Sequence, residues 1–418
     1  MNKNKVVVIL VLLTFFVISF ITNILGPIFP ALIESFNIGF VLAGFFPFSF
    51  FIAYGLMSVP SGMLVHKFGE KRVILSAFIL SFIGASLFSL FPSFSIAMCS
   101  LFLIGCAMSM LQVAINPLLR ASGGSENFAF LSVSAQLFFG LAGVVTPLVY
   151  SNVIQEMSKQ TALGNMFNAL VPSNMMWLSM YWIFAALSLL MIIIVLSISI
   201  KNVKKTQEEL IAPWQVYPQL LKQPVVIKFF FAIVCYVAVE QGIANSISLF
   251  LQQYHGLDPN SVGAGVVSDF WLALTFGCLL GLVLLKIFDA KHVLIAFSLM
   301  AMLSFSGALF GSAEICVIAF PAIGFFLSIM WSVLFSLALN SLPKDHGSFS
   351  GILCTGILGG AIASPVIGLL AESFDSLRVG MLIILVPLIY IFSVGIWANP
   401  LVKNQRIQFS KSKKIQTV

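Results

Sequence analysis

The sequence predicts an all-α protein that crosses a membrane twelve times. Of its 418 residues, 60% are hydrophobic and only 8% are charged, whereas soluble domains carry about 25% charged residues. Short polar or Gly/Pro-containing segments separate twelve apolar runs, each long enough to cross a bilayer as a helix, which takes about 20 residues. The mean hydropathy of +1.08 agrees with a polytopic helical membrane protein.

The first apolar run follows a basic start, but it is too long for the apolar part of a signal peptide, so we interpret it as a span. The expected spans are residues 6–33, 38–65, 72–93, 95–119, 127–153, 174–200, 225–250, 261–286, 291–312, 315–342, 348–371 and 377–398.

An internal repeat predicts two pseudo-symmetric halves of six spans each. The positions that match between the two halves are separated by nearly the same number of residues in each case. These are Gly62–Lys67 with Gly281–Lys286, Pro147 with Pro365, and Asn23 with Gln241. We therefore expect a first half at 1–200, a cytoplasmic linker at 201–224, a second half at 225–400 and a basic tail at 401–418. Parallel halves of this kind are typical of transporters with a central site.

The positions of the basic residues predict the orientation. Of the 21 Lys and Arg residues, only Lys159 and Arg378 fall on the side opposite to the termini. Short loops rich in Lys and Arg stay in the cytoplasm, so both termini are expected there, in a bacterial inner membrane. The net charge of +7 then reflects orientation and contact of the tail with anionic lipid, rather than nucleic-acid binding.

Cysteine and histidine spacing predicts no metal site, disulfide or cofactor. The six cysteines lie within apolar runs and the four histidines are scattered at span ends. No phosphate-binding loop or catalytic cluster is present in the sequence, so we expect neither an enzyme nor direct ATP hydrolysis. We also expect a monomer.

A polar flank interrupts the seventh span. Glu240, Gln241 and Asn245 share one side of a helix there. An ionisable residue at this depth marks a pathway or binding site by default, and the alternative is a buried Glu that bonds a neighbouring helix. We interpret Glu240 as a proton-coupling residue. Asp269, nearer the outer end of the eighth span, is a second candidate, although it could simply reach interfacial water.

Amide side chains supply further candidate substrate contacts. Gln112 and Asn116 share one face of the fourth span, and Asn23 and Gln136 add amides from the first and fifth. Amides donate and accept hydrogen bonds, as sugar hydroxyls do, so such a lining suits a sugar. The alternative is that they tie helices together. Trp331 could stack on an apolar sugar face or serve packing.

The loop after the second span resembles the signature loop of the major facilitator superfamily. The matching residues are Gly62, Lys67, Gly69, Lys71 and Arg72. His66 replaces the usual acid of that loop, and Glu70 occupies one usual basic position. With the twelve spans and the repeat, this resemblance implies the major facilitator fold.

Within that superfamily the chain resembles the fucose permease branch of proton-coupled sugar transporters. The stretches that carry the resemblance are Met108–Pro117, Tyr236–Glu240, Ser328–Leu339 and Gly351–Ile362. Three positions depart from the branch. Gly26 and Gln112 stand where the branch can carry acids, and Cys278 stands where some relatives carry Arg.

The resemblance implies a secondary active transporter that imports a sugar or similar small polyhydroxy solute, with protons as the coupling ion. Because the first half lacks a midplane acid, an exporter of apolar compounds or an uncoupled facilitator remains an alternative. A transporter-like sensor or binding protein is a weaker alternative, since the short loops and tail offer little surface for signalling. An integral membrane enzyme comes third, since the sequence has no nucleophile–base pair or metal cluster.

The orientation can be tested with thiol labelling in intact cells. We expect a cysteine at position 159 to react with an impermeant reagent and one at position 205 to be protected, because Lys/Arg-rich loops are retained inside. The parent chain, with its six native cysteines, gives the baseline. The opposite labelling pattern would reverse the predicted orientation.

Overall fold

The computed structural model describes residues 3–123, 128–199, 216–343 and 346–401, and these ranges contain helices and no strand. In the first half the helices are α1 (Lys3–Thr22), α2 (Leu25–Phe36), α3 (Phe40–Phe68), α4 (Glu70–Leu90), α5 (Phe94–Gly123), α6 (Phe128–Ser158), α7 (Ala162–Asn168) and α8 (Ser179–Ser197).

In the second half the helices are α9 (Val216–Leu221), α10 (Pro224–His255), α11 (Ala264–Ile287), α12 (Ala290–Phe310), α13 (Ala313–Leu327), α14 (Met330–Leu339), α15 (His346–Thr355), α16 (Gly359–Ser373), α17 (Leu377–Leu382) and α18 (Leu385–Trp397). Twelve segments of the described chain are long and apolar enough to cross a membrane, at the positions expected from the sequence. The predicted all-α class is confirmed. Most of the predicted linker and tail, residues 200–215 and 402–418, lies outside the described residues.

The first span is interrupted in front of its prolines. α1 ends at Thr22 and α2 begins at Leu25. Pro27 has no amide N–H to bond the carbonyl of Asn23, one turn earlier, and its ring would crowd that carbonyl in a regular helix. The missing N–H lies in the first turn of α2, where such groups have no partner within their helix, so the break costs little. It places Asn23 at the junction.

A tight turn joins α3 to α4 and carries the signature-loop residues. Gly69 adopts φ 81°, in the left-handed region that favours glycine. The ammonium of Lys71 then donates to the carbonyl of Ile198 at 2.7 Å, at the end of α8. Lys291, at the start of α12, donates in the same way to the carbonyl of Ile396 at 3.2 Å, near the end of α18. Each lysine stabilises a helix C-terminus, and the matching contacts repeat between the halves.

Buried apolar side chains form one cluster for each half. The first cluster is made almost entirely of residues before 199, and the second of residues from 220 onward. Phe29 and Ala43 are exceptions, because they belong to the first half but pack in the second cluster. The two halves therefore have separate cores, and they meet along α3 with α16, α6 with α11 and α2 with α10.

Hydrogen bonds join the halves on the face opposite to the termini. The carboxylate of Glu372, at the end of α16, accepts from the amide of Val41 at 2.9 Å. The hydroxyl of Tyr150, on α6, donates to the side-chain oxygen of Asn260 at 2.6 Å. Deeper in the bundle, Ser268 donates to the carbonyl of Val144 at 3.0 Å. This conformation is closed on that face.

Candidate functional site

Glu240 lies in the middle of α10 and is held by a neighbour one helical turn earlier. The Tyr236 hydroxyl donates to one carboxylate oxygen of Glu240 at 2.7 Å. The amide of Gln241 approaches the other oxygen at 3.5 Å, which is a weak contact. Glu240 remains partly accessible, whereas Tyr236 is only 4% exposed. The carboxyl group is thus positioned by a buried donor.

Side chains from two other spans complete the surroundings of Glu240. The rings of Tyr236 and Trp331 lie with their centroids 5.9 Å apart, and Trp331 stacks on Phe335 at 6.0 Å. Cys278 on α11 lies within electrostatic range of Glu240, and its thiol donates to the carbonyl of Ser328 at 3.2 Å. In the described part of the chain, no Lys, Arg or His pairs with Glu240.

Neither Tyr236 nor Cys278 was predicted as a site residue. Tyr236 could have been found, because it precedes Glu240 by four residues and side chains at that spacing meet on a helix. The contact with Cys278 crosses between helices, and no local pattern in the sequence indicates it.

Gln241 and Asn245 mark the start of a sealed segment of α10. Every residue from Gln241 to Leu251 is buried, while Glu240 just before them is not. The side-chain nitrogen of Asn245 is buried and has no hydrogen-bond partner. The predicted polar flank therefore exists, but its two amides lie on the closed side and Glu240 lies at the boundary.

Asn23 is engaged within the first half. Its amide donates to the hydroxyl of Ser19 at 2.9 Å, and Ser19 donates to the carbonyl of Phe139 on α6 at 2.6 Å. Nearby, the chain approaches α10 closely, because a Cβ added at Gly26 would collide with the carbonyl oxygen of Ala244. The position where the branch can carry an acid is here part of a helix crossing.

The remaining amides and Trp331 are accessible to different extents. Asn116 is exposed, Gln112 is partly exposed, and the Asn116 amide donates to the main-chain carbonyl of Gln112 at 3.0 Å. Gln136 on α6 is exposed, and Trp331 is partly exposed.

Asp269 lies apart from Glu240. It is exposed on α11 together with Leu272 and Phe276. Cys278, which neighbours Glu240, follows Asp269 by nine residues, about half a turn away around the helix. The structure does not bring the two predicted proton-coupling residues together, and a role for Asp269 stays a prediction.

The other signature-loop residues are spread over the turn near the termini. Gly62 is buried within α3, whereas Lys67 and Arg72 are exposed. The Lys67 ammonium lies 5.3 Å from the ring centre of Phe68. No three His, Cys, Asp or Glu side chains of the described chain come together in a way that could hold a metal ion.

Comparison with known proteins decides the family. The Major Facilitator Superfamily model matches residues 11–356. The chain belongs to this superfamily. Its twelve spans, its repeated halves and the turn at Gly69 are those expected for a member.

Curated relatives are transporters rather than enzymes. The chain is 27% identical over 376 residues to a glucose/galactose transporter of Brucella abortus, covering 86% of each protein. It is 22% identical over 391 residues to the L-fucose-proton symporter of Escherichia coli, covering 88% of this chain and 87% of the relative.

Solved structures share the fold. The E. coli fucose:proton symporter FucP, in an alanine variant, matches with a TM-score of 0.66 and 19% identity, covering 95% of this chain and all of the other. A bacterial homologue of the human lysosomal transporter Spinster, inward-facing and occupied, matches with a TM-score of 0.75 and 14% identity, covering 94% and 96%. At these identities the likeness concerns the fold alone.

Proposed function

We propose that the protein imports a sugar or similar small polyhydroxy solute together with protons across a bacterial inner membrane. The two halves would rock about a central site so that it opens to one side at a time. Support comes from the superfamily, from relatives named for glucose, galactose and fucose, and from the amide side chains of the central spans.

The observation that carries proton coupling is the setting of Glu240. Its carboxyl group receives a tyrosine hydrogen bond and has no cationic partner in the described chain. Removal from water disfavours a carboxylate, and contact with water favours it. Glu240 lies where the accessible part of α10 meets the sealed part, so a change of the open face changes its hydration. Its proton affinity would therefore alternate with the conformation.

Substrate contacts are assigned to the amides and to Trp331. Gln112 and Asn116 offer hydrogen-bonding groups on one face of α5, and the Asn245 nitrogen lacks a partner. Trp331 stands beside Tyr236 and can place an aromatic face against a sugar ring. Asn23 is a weaker candidate for a substrate contact, since its side-chain amide already donates to Ser19.

An uncoupled facilitator or an exporter of apolar compounds is the second candidate. The observation in its favour is that Gly26 and Gln112 leave the central spans of the first half without an acid. If transport is coupled to protons, the coupling should rest mainly on Glu240, so a test of this residue separates the two candidates.

The amide assignment predicts weaker sugar binding when either side chain is shortened. Gln112→Ala and Asn116→Ala should each weaken binding by about 1–3 kcal/mol, because a polar group of the bound sugar loses its partner. The measurement is the thermal shift of the purified protein with D-glucose, D-galactose and L-fucose, since specific ligands raise apparent stability. Asn152→Ala, which removes an exposed amide of α6, is the control. Parental affinity in both variants would mean that these amides only link helices.

Proton coupling predicts a selective defect for Glu240→Gln. Glutamine resembles the protonated acid but cannot release a proton, so uphill accumulation should be lost while exchange between equal pools is kept. Both activities are measured in the same proteoliposomes with whichever of the three sugars the parent exchanges.

Asp269→Asn is the matched control, because Asp269 lies on the exposed face of α11. We expect it to accumulate sugar as the parent does. Normal pH-dependent accumulation by Glu240→Gln would show that Glu240 is structural, and a loss confined to Asp269→Asn would transfer the coupling role to Asp269.

A further inference from the structure

The Tyr236 hydroxyl is held in place by the burial of its ring and by the packing of that ring against Trp331. Tyr236 is 4% exposed, its ring meets Trp331, and Trp331 is stacked in turn on Phe335. Its hydroxyl lies 2.7 Å from the Glu240 carboxylate, one helical turn along α10. A side chain held in this way cannot leave its partner without repacking two spans.

A fixed hydroxyl donor distinguishes the two forms of a carboxyl group. It bonds a carboxylate strongly, because hydrogen bonds to ionised acceptors are about twice as strong as those between neutral groups. The titratable side chain that faces Glu240 from another helix is Cys278 on α11, and no charged group of the described chain opposes it. Gln241 adds only a weak contact. Tyr236 is therefore the main stabiliser of the ionised form.

We propose that Tyr236 is a positioning residue that allows Glu240 to release its proton within the bundle. This inference rests on the proposed coupling role of Glu240. The phenol does not exchange the proton itself. It donates to the carboxylate left behind when the proton departs and keeps the carboxyl group oriented.

Tyr236→Phe tests this role, because it removes the hydroxyl and keeps the ring against Trp331. Without the donor, the proton should leave Glu240 only at higher pH. We expect the midpoint of pH-dependent accumulation to move upward by about one pH unit, the size of one hydrogen bond to a charged group. The rate of exchange should stay within about twofold of the parent, which also shows that the variant is folded.

Two further variants keep the test decisive. Tyr181→Phe is the matched control, since the Tyr181 hydroxyl is buried without a partner on α8, and its profile should not move. Cys278→Arg places a cation near Glu240 and should move the midpoint downward. Unchanged midpoints in Tyr236→Phe and Cys278→Arg would overturn the inference. Normal accumulation by Glu240→Gln would instead overturn the proposed function itself.

A second, independent observation concerns the closed face. Glu372 at the end of α16 accepts from Val41, the second residue of α3, whose N–H has no partner within its own helix. A carboxylate is also favoured beside the positive end of a helix. This bond therefore joins the second half to the start of a first-half span.

In the other bond on this face, the first half provides the span end and the second half provides the span start. Tyr150, near the end of α6, donates to the side-chain oxygen of Asn260, which precedes α11. Asn260 is itself held because its main-chain N–H donates to the Asp258 carboxylate at 3.3 Å. In the repeat α6 corresponds to α16, and α3 corresponds to α11. The two bonds are therefore related by the repeat, since each joins the end of the fifth span of one half to the start of the second span of the other half.

We infer that these two bonds are a pair of latches that hold the face closed, and that both must break when the halves separate there. Glu372→Ala removes a charged acceptor and Tyr150→Phe removes a neutral donor. Since the sites share no partner, their effects on the closed state should multiply in the double variant.

Opening is measured with a reporter thiol at Ala43. This residue is fully buried and belongs to the first half while packing in the second cluster, so separation of the halves exposes it. The impermeant reagent is applied from the side on which a cysteine at position 159 reacts, in membrane vesicles. We expect labelling of Ala43→Cys to speed up about tenfold with Glu372→Ala and about threefold with Tyr150→Phe.

Glu314→Gln is the control, because Glu314 is another exposed acid on the same face. The labelling rate of Ala43→Cys combined with Glu314→Gln should equal that of Ala43→Cys alone. The labelling of the parent chain is subtracted as the contribution of the native cysteines. Parental labelling in Glu372→Ala and Tyr150→Phe would show that the bonds accompany closure without maintaining it.

Discussion

A carboxyl group without a counter-charge, enclosed by apolar helices, is the constraint on which the rest of this molecule depends. Burying a lone carboxylate costs several kcal/mol, so such a group is either protonated or hydrated. Glu240 meets this constraint with one tyrosine donor and with a position at the limit of the sealed part of α10. Under the proposed function, a movement that shifts the seal would change its preferred protonation state and so link proton binding to conformation.

The two halves are built alike in their supporting contacts. Lys71 and Lys291 bind the ends of corresponding helices, and the bonds of Glu372 and Tyr150 form a repeat-related pair across the halves. Gly26 and Ala244 occupy matching positions in the repeat, and the first and seventh spans cross there. Small residues permit such close crossings in membranes. A carboxylate side chain at position 26 would hold these spans apart in this conformation.

Much of this architecture could be predicted from the sequence, because it depends on local patterns. Apolar runs define the spans, the repeat defines the halves, and Gly69 indicates the turn after α3. The polar flank of α10 was also predictable from spacing. Asp269 shows the limit of such reasoning, because an acid within an apolar run gives no sign of facing away from the centre. Side-chain direction depends on how α11 rotates against α6, which is decided by packing between distant residues such as Ser268 and Val144.

The departures from the branch pattern have a common physical effect, which is to remove fixed charges from the centre. Gly26 and Gln112 take away acids from the first half, and Cys278 puts a neutral thiol beside Glu240 where some relatives carry Arg. A permanent cation beside Glu240 would favour its ionised form in every conformation. With a thiol there, the charge of the carboxylate must be met by Tyr236 and by water. The tyrosine contact alone falls short of a counter-ion, so access to water becomes the deciding variable. A site with few fixed charges can thus still bind and release a proton, provided that its one acid lies where the seal moves.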